Sequence, residues 1–450
     1  MIPVVTPEEM KAADEASAEP VDVLVERAGS AVARAALDML GGGYGRRVVV
    51  VAGKGNNGAD GQAAAARLRR RGVRVEVVDA LAAPDRLPAA DLVVDAAYGT
   101  GFRGDYSAPD PGGTPVLAVD IPSGVDGLTG QAGDGAVRAR RTVTFAALKP
   151  GLVLSGGQER SGEVTVADIG LAVPAVRMHV VEQADVLAWV PERPLESHKW
   201  KSAVYVVAGS PGMTGAAQMA ARATLRAAAG TVRLAIPGVP PDPPFLEVVG
   251  RSVPATDWAG DVLADAERAK AVLVGPGLGR EDATASAVRR LVAEAPVPVI
   301  VDADALYALG SVETAADVVH AREAATVVTP HEGEFARLTG SPPPADRVGA
   351  VRDLARRVGA TVLLKGSTTV VADPGGEVVL STAGDARLAS AGTGDVLAGI
   401  LAAFLAQGVA PLQAAAAAAF VHGRAGHLGW RRGLVAGDLL DLLPPVLEGR

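Results

Sequence analysis

The sequence predicts an α/β protein of two domains, each built on a mostly parallel sheet with helices on both faces. Its 450 residues exceed what one ordinary hydrophobic core accommodates. Short apolar runs alternate with helix-period segments along most of the chain. The runs are apolar throughout rather than at every second residue, as strands buried on both faces of a parallel sheet require.

Residues 8–40 supply the first element, a helix with apolar spacing through "VLVERAGSAVARAAL" and a stop at "GGG". Strand-like runs follow at 47–52, 73–78, 91–95, 115–120, 142–146 and 163–166, the first two flanking a helix. This pattern predicts a Rossmann-like three-layer sandwich over residues 1–192. Around 179–200 the rhythm breaks into "VVEQADVLAWVPERPLESHKWK", which places a domain boundary near residue 192. Alternation resumes at 203–209 and continues at 231–236, 271–275, 297–302, 325–329 and 360–364, so residues 193–450 form a second α/β domain. No internal repeat relates the halves. From Val396 to Gly423 no residue is charged, long enough to span a bilayer, but Gln407, Gly408, Pro411 and Gln413 interrupt the run. "QGVAP" reads as a turn between two buried helices.

Composition narrows the function. A chain that is 49% hydrophobic and 21% charged is globular, and its net charge of −8 argues against a nucleic-acid partner. The basic cluster Arg67–Arg74 reads as the solvated end of a helix. Without cysteine there are no disulfides, thiol nucleophiles or thiolate metal sites. The N-terminus, "MIPVVTPEEMKAADEA", lacks an apolar leader segment, so a cytoplasmic protein without a membrane anchor is expected.

In open α/β sheets the site lies at the carboxyl ends of the strands. There the first half carries "GKGNNGADG", where Gly53, Gly55 and Gly58 fit G-x-G-x-x-G, with Asp79 about twenty residues on. That is the fingerprint of a dinucleotide-binding redox enzyme, yet Asn56, Asn57 and Asp60 make this loop unusually polar. Asn57, Asp95 and Ser123 offer hard oxygens, which suit an alkali or alkaline-earth cation. Asp60 and Asp120 can act as acid or base. The alternative reading makes the aspartates helix caps and the asparagines residues that tolerate left-handed geometry.

The second half carries "ASAGTGDVLAGIL", in which Gly392 and Gly394 open a helix start beside Asp395. Backbone amides there can hold developing negative charge while the carboxylate deprotonates a hydroxyl, the combination that phosphoryl transfer to an alcohol needs. Asp395 can equally be an N-cap. "LLKGSTTVV" supplies Lys365 and a run of hydroxyls, or only a hairpin surface; "TPHEGEF" offers His331, Glu332 and Glu334. No P-loop signature is present.

"GKGNNGADG", "VDAAYGTGFRG" and "VDIPSGVDGLTG", with "VERAG" before and "ALKPGL" after them, resemble the NAD(P)H-hydrate epimerase family over roughly residues 5–190. The resemblance implies a Rossmann-like fold that interconverts the two C6 epimers of hydrated NADH or NADPH. It implies substrate contacts from Asn56, Asn57, Gly58, Ala59, Asp60, Gly99, Thr100, Gly101, Phe102, Arg103, Gly104, Asp105 and Asp120. It further implies a potassium ion (K+) on Asn57, Asp95 and Ser123. Asp60 is the first candidate for acid/base work and Asp120 the second. Ala59 stands where the family has glycine, a difference that matters if the position needs positive φ.

"HK", "GPGLG", "DADAL", "TPHEGE", "KG" and "GTGD" resemble, in order, the ribokinase-like superfamily and its ADP-dependent NAD(P)H-hydrate dehydratase branch over about 196–445. The resemblance implies a ribokinase-like domain with Ala217, Gly279, His331 and Asp395 on the hydrated nucleotide. Lys365, Gly366, Ser367, Thr368, Thr369 and Gly394 would contact ADP, and Mg2+ would bridge its phosphates with Glu334 as a candidate ligand. The implied reaction phosphorylates the C6 hydroxyl and eliminates phosphate, releasing AMP; a homo-oligomer is expected. Trp200 replaces a family glycine, and Ser390 and Ala391 stand near the usual Thr-Gly. Two rival readings remain at this point: an NAD-dependent oxidoreductase, or a non-catalytic binding domain, fused to a kinase for small vitamin precursors.

Overall fold

A computed structural model of the chain describes residues 1–173, 176–241 and 247–449. Two compact units emerge, Ile2–Val176 and Arg177–Arg450, the latter including Met1. The division therefore falls before the expected boundary near residue 192. Met178–Val180 pairs in parallel with Val378–Ser381, and Val186 of the helix Gln183–Trp189 is buried in the second core. The break in rhythm that suggested a linker is a short edge strand and helix of the second unit.

In the first unit the expected long helix is two, α1 (Pro7–Glu15) and α2 (Val21–Leu40). Thr6 and Glu9 form a capping box that starts α1, and Pro20 disfavours helix at the residue before it, so the chain turns between them. The strands are β1 (Arg47–Ala52), β2 (Arg74–Asp79), β3 (Leu92–Ala96), β4 (Val116–Val119), β5 (Arg141–Phe145) and β6 (Glu163–Ala167). They pair in the order β2-β1-β3-β4-β5-β6, all parallel. Strand order reverses between β1 and β3, which makes the space beyond their carboxyl ends the crevice of this topology. Helix α3 (Asn56–Arg70) leaves β1 at that point. It lies close to α2, where a Cβ on Gly29 would meet Ala63 Cβ at 2.5 Å.

The second unit contains β7 (Met178–Val180), β8 (Ala203–Val207), β9 (Thr231–Ala235), β10 (Val248–Arg251), β11 (Ala271–Val274), β12 (Val299–Val301), β13 (Thr326–Val328), β14 (Thr361–Leu364), β15 (Thr369–Ala372) and β16 (Val378–Ser381). Their order is β7-β16-β15-β14-β13-β12-β11-β8-β9-β10. Pairing is parallel except around β15, which forms antiparallel ladders with β14 and β16. β7, β10, β15 and β16 were absent from the expected strands because each run is short and bounded by charged or glycine residues. The uncharged stretch forms two helices, α6 (Thr393–Ala406) and α7 (Pro411–Leu428), with the predicted turn between them. Both are buried in the second core, and no helix among the described residues is long and apolar enough to cross a membrane. Trp200 belongs to the 3-10 turn Lys199–Ser202 that enters β8 at its amino end. Arg268 and Arg233 lie over its ring at 4.2 and 4.8 Å. The bulk at residue 200 thus sits at the amino edge of the sheet, away from the edge that carries the site motifs.

Helix α4 (Thr214–Arg226) contacts α6 closely enough that a Cβ on Gly399 would lie 2.5 Å from Ala220 O. Gly399→Ala should destabilise the second unit by about 1–3 kcal/mol in urea unfolding, because overpacking outweighs the gain in helix propensity. A stabilised variant would contradict this packing.

Candidate active sites

In the first unit a cleft of ≈ 690 Å³ opens at the carboxyl ends of β1 and β3. The "GKGNNGADG" loop lines it as a backbone turn leading into α3. A Cβ on Gly53 would lie 1.9 Å from Ala97 O, and one on Gly58 1.9 Å from Gly53 O, so the turn closes only with glycine. Ala59 is inside the first turn of α3, its amide donating to Gly55 O at 3.1 Å, and it is not among the positive-φ residues. Its methyl group therefore costs no backbone strain. The amides of Asn56, Asn57 and Gly58 have no partner within the helix and suit an anion.

Six Asp, Lys and Arg side chains line the cleft: Asp14 of α1, Lys54, Asp60, Arg103, Asp120 and Lys149. Lys149 is 1% exposed, and its Nζ donates to Asp120 Oδ1 at 2.7 Å, Thr144 Oγ1 at 2.8 Å and Phe145 O at 3.0 Å. Thr144 Oγ1 donates in turn to Asp120 Oδ1 at 3.0 Å. Asp120 occupies φ 65°, a left-handed conformation that a non-glycine residue adopts at a cost. Burial, followed by the nearby charges of Asp120 and Asp14, pushes the Asp60 carboxyl up to about 8. Burial also raises Asp14, opposed by Lys149 and reinforced by Asp120. Beneath the cleft, Asp95 accepts from Ser123 N at 2.8 Å and Ser123 Oγ at 2.7 Å, and burial carries it to about 6. Both polar side-chain atoms of Asn57 are buried without a partner. Of these, the Oδ1 oxygen is the kind of donor that suits a hard cation.

The cleft gathers most of the expected residues: Asn56, Asn57, Asp60, Gly99, Thr100, Gly101, Phe102, Arg103 and Asp120 line it. Gly58 and Ala59 support the turn, while Gly104 and Asp105 lie outside the lining. Asp14, Thr144 and Lys149 were missed. Their only signal was position, Lys149 in "ALKPGL" and Asp14 in an exposed-looking helix, and neither shows burial in the sequence.

In the second unit the carboxyl ends of β12, β14 and the start of α6 converge. Lys365 Nζ donates to Asp302 Oδ1 at 2.6 Å, and Thr329 Oγ1 donates to the same oxygen at 2.7 Å. Asp302 is 1% exposed. Burial lowers the Lys365 pKa, but Asp302, Glu334 and Asp395 together hold it above its usual value. Lys365 also reaches the glycine turn, where a Cβ on Gly394 would stand 3.7 Å from its Nζ. Gly392 takes φ 88° to start α6, and the amides of Gly394 and Asp395 face no intrahelical acceptor. Asp395 caps nothing; burial and Asp302, against the opposing Lys365, push it up to about 7.

Other expectations change. His331 is the N-cap of α5 (Glu332–Thr339), its Nδ1 accepting from Gly333 N at 2.9 Å and Glu334 N at 3.2 Å. Its Nε2 lies 3.4 Å from Glu334 Oε1. Glu334 closes the same capping box, its Oε2 accepting from His331 N at 2.9 Å. Ala217 is 0% exposed and lies beneath Gly209, where it supports a loop and presents no surface of its own. Gly279 donates its amide to Asp304 Oδ2 at 3.1 Å. Residues 365–368 turn between β14 and β15, with Thr368 buried, Ser367 exposed, Gly366 beside Arg347 and Thr369 opening β15.

A family model described as NAD(P)H-hydrate dehydratase matches residues 204–444, and one described as YjeF-related protein N-terminus matches 21–90 and 78–151. Among curated relatives, the bifunctional NAD(P)H-hydrate repair enzyme Nnr of Mycobacterium leprae is 41% identical, over 91% of this chain and 90% of that protein. Its namesake from Salinibacter ruber is 39% identical, covering 100% and 96%. Among solved structures, the ADP/ATP-dependent NAD(P)H-hydrate dehydratase of Bacillus subtilis, co-crystallised with ATP/Mg2+, is 30% identical at TM-score 0.54, over 61% of this chain and 99% of that one. A ribokinase-like superfamily protein from Enterococcus faecalis shares the fold at TM-score 0.51 and 23% identity, over 60% and 96%.

Asp60 titrates near 8 when folded against 3.8 as a free side chain, so the native state holds a proton that the unfolded chain releases between those values. Stability falls as pH rises through that window. Asp60→Asn should remove this fall and gain at least ~1 kcal/mol at pH 8 relative to pH 4 in chemical denaturation. Parallel pH curves for both proteins would contradict it.

Proposed function

The chain belongs to the family of bifunctional NAD(P)H-hydrate repair enzymes, and we propose that it restores hydrated NADH and NADPH with one site in each domain. The N-terminal domain equilibrates the (R) and (S) hydrates, and the C-terminal domain dehydrates the (S) form with ADP. The observation that carries this reading is the pairing of a raised carboxyl with a glycine-opened helix in both units, Asp60 on α3 and Asp395 on α6.

C6 of the hydrate carries both a hydroxyl and the ring nitrogen. Its configuration inverts by reversible loss of that oxygen or by ring opening, and either route moves a proton onto and off an oxygen. Asp60, holding its proton to about pH 8, supplies the acid; Asp120, oriented by Lys149 and Thr144, supplies the base. Potassium on Asn57, Asp95 and Ser123 would add positive charge beside the phosphate-binding turn. The unpartnered Asn57 Oδ1 supports that assignment.

In the second domain Asp395 takes the proton from the C6 hydroxyl as its oxygen attacks the β-phosphorus of ADP. The Gly394 and Asp395 amides and Lys365 stabilise the transferring group. AMP leaves; the ring nitrogen then expels phosphate from C6, and loss of a C5 proton restores the double bond. Mg2+ would be held chiefly by the phosphates, since among the described residues no three His, Cys, Asp or Glu side chains gather to hold a metal ion. A cytoplasmic homo-oligomer completes the proposal.

Asp60→Asn should slow epimer equilibration by about 10²–10⁴-fold and leave ADP-dependent dehydration of the (S) hydrate intact; Asp395→Asn should do the reverse. Chiral chromatography and dihydropyridine absorbance separate the two. Epimerisation should decline above about pH 8, as the acid is lost, while dehydration should climb through about pH 7, as the base ionises. Two profiles of the same direction would contradict these roles.

A further inference from the structure

Arg280, Tyr307 and Arg337 come from the loops after three neighbouring strands, β11, β12 and β13, at the same sheet edge as Asp395. Arg280 follows Gly279, Tyr307 lies in the helix Asp304–Leu309, and Arg337 lies on α5. Both guanidiniums lie over the Tyr307 ring, Arg280 at 5.3 Å and Arg337 at 4.2 Å from its centroid. Arg280 donates to Asp304 Oδ1 at 2.8 Å, the carboxylate that also accepts the Gly279 amide. Arg337 makes no ion pair among the described residues, whereas its neighbours on the helix, Glu332 and Glu334, engage Arg347 and His331. An arginine in the last turn complements the helix dipole, but that alone does not require its guanidinium over an aromatic ring.

The charge balance of this edge calls for such a cation. Asp302, Asp304 and Asp395 crowd it, and Lys365 is already paired with Asp302. A dinucleotide carries a pyrophosphate within about 10 Å of its nicotinamide ring; with Asp302 paired to Lys365 and Asp304 to Arg280, Arg337 is the guanidinium of the stack that has no ion-pair partner among the described residues and can meet that charge. Lys365 and residues 366–369 turn out of β14, on the nucleotide side of the proposed site. The arginine pair lies across β13 on the substrate side. Arg337 is six residues along α5 from His331, about 9 Å at the helical rise. That separation matches the span from reacting ring to pyrophosphate.

We propose that Arg280 and Arg337, stacked on Tyr307, form a subsite for the pyrophosphate of the hydrated dinucleotide. The proposal rests on the dehydratase reading of this domain. Tyr307 pre-orients both guanidiniums, so less freedom is lost when phosphate oxygens arrive. The group bound does not react, so the interaction lowers KM and leaves kcat largely alone.

The test compares two substrates for ADP-dependent dehydration: hydrated NADH and the hydrate of dihydronicotinamide riboside, which lacks phosphate. Arg337→Ala should raise KM for hydrated NADH about tenfold with kcat within about twofold, and Arg337→Glu should raise it further. Arg337→Lys should recover part of the loss. The riboside hydrate should lose nothing to any of these substitutions. Unchanged KM for hydrated NADH, or an equal loss on both substrates, overturns the subsite. An unaltered Tm separates binding loss from misfolding. Failure of the wild-type protein to dehydrate any hydrate with ADP would instead overturn the dehydratase reading beneath it.

Discussion

A lysine paired with an aspartate at the carboxyl edge of a parallel sheet organises each domain, the first lysine buried and the second partly exposed. In the first it is Lys149 on Asp120, and in the second Lys365 on Asp302. Removing an ammonium and a carboxylate from water costs several kcal/mol per ion before their attraction offsets it. Neither pair would persist without its supporting oxygens, Thr144 in one case and Thr329 in the other. Backbone strain marks the same places: Asp120 at φ 65° and Ala303, next to Asp302, at φ 51°. Strain and buried charge together are expected where geometry has been set for chemistry.

Each pair also governs a third group. Asp60, in the second turn of α3, and Asp395, in the first turn of α6, lie on helices whose start depends on glycine, and each lies near the anionic member of the pair. Burial keeps their protons on, and the neighbouring aspartate adds to the effect. In the first domain Asp14 adds a further negative charge, so Asp60 is raised to about 8; in the second Lys365 opposes the rise, and Asp395 reaches about 7. The proposed acid and the proposed base are thus the same residue type in two related settings.

Much of this was legible in the sequence. The apolar runs placed the main strands within a residue or two, and the glycine motifs marked both helix starts, because close backbone approach leaves no alternative at Gly53 and Gly58. Ala59 looked like a break in the pattern and is not one, since a helical position tolerates a methyl group. Trp200 looked similar and lies at the opposite sheet edge. What stayed hidden were residues whose role depends on burial: Asp14 read as one more polar residue of an exposed-looking helix, and Thr144 and Lys149 as ordinary polar residues near a turn. The domain boundary moved because β7 and its helix have too little apolar length to show their partners. His331 and Glu334 were correctly drawn to a strand end, but a capping box and a ligand site share the same spacing, and only the hydrogen bonds distinguish them.

The central claim is that two chemically distinct sites act on one damaged cofactor. The most direct measurement supplies the purified (R) hydrate of NADH, with ADP and Mg2+, to the wild-type protein and follows dihydropyridine absorbance. The account predicts complete recovery of NADH with stoichiometric AMP, because the (R) form must first be converted in the N-terminal domain. No recovery from the (R) hydrate while the (S) hydrate is restored, or recovery without AMP, would contradict it.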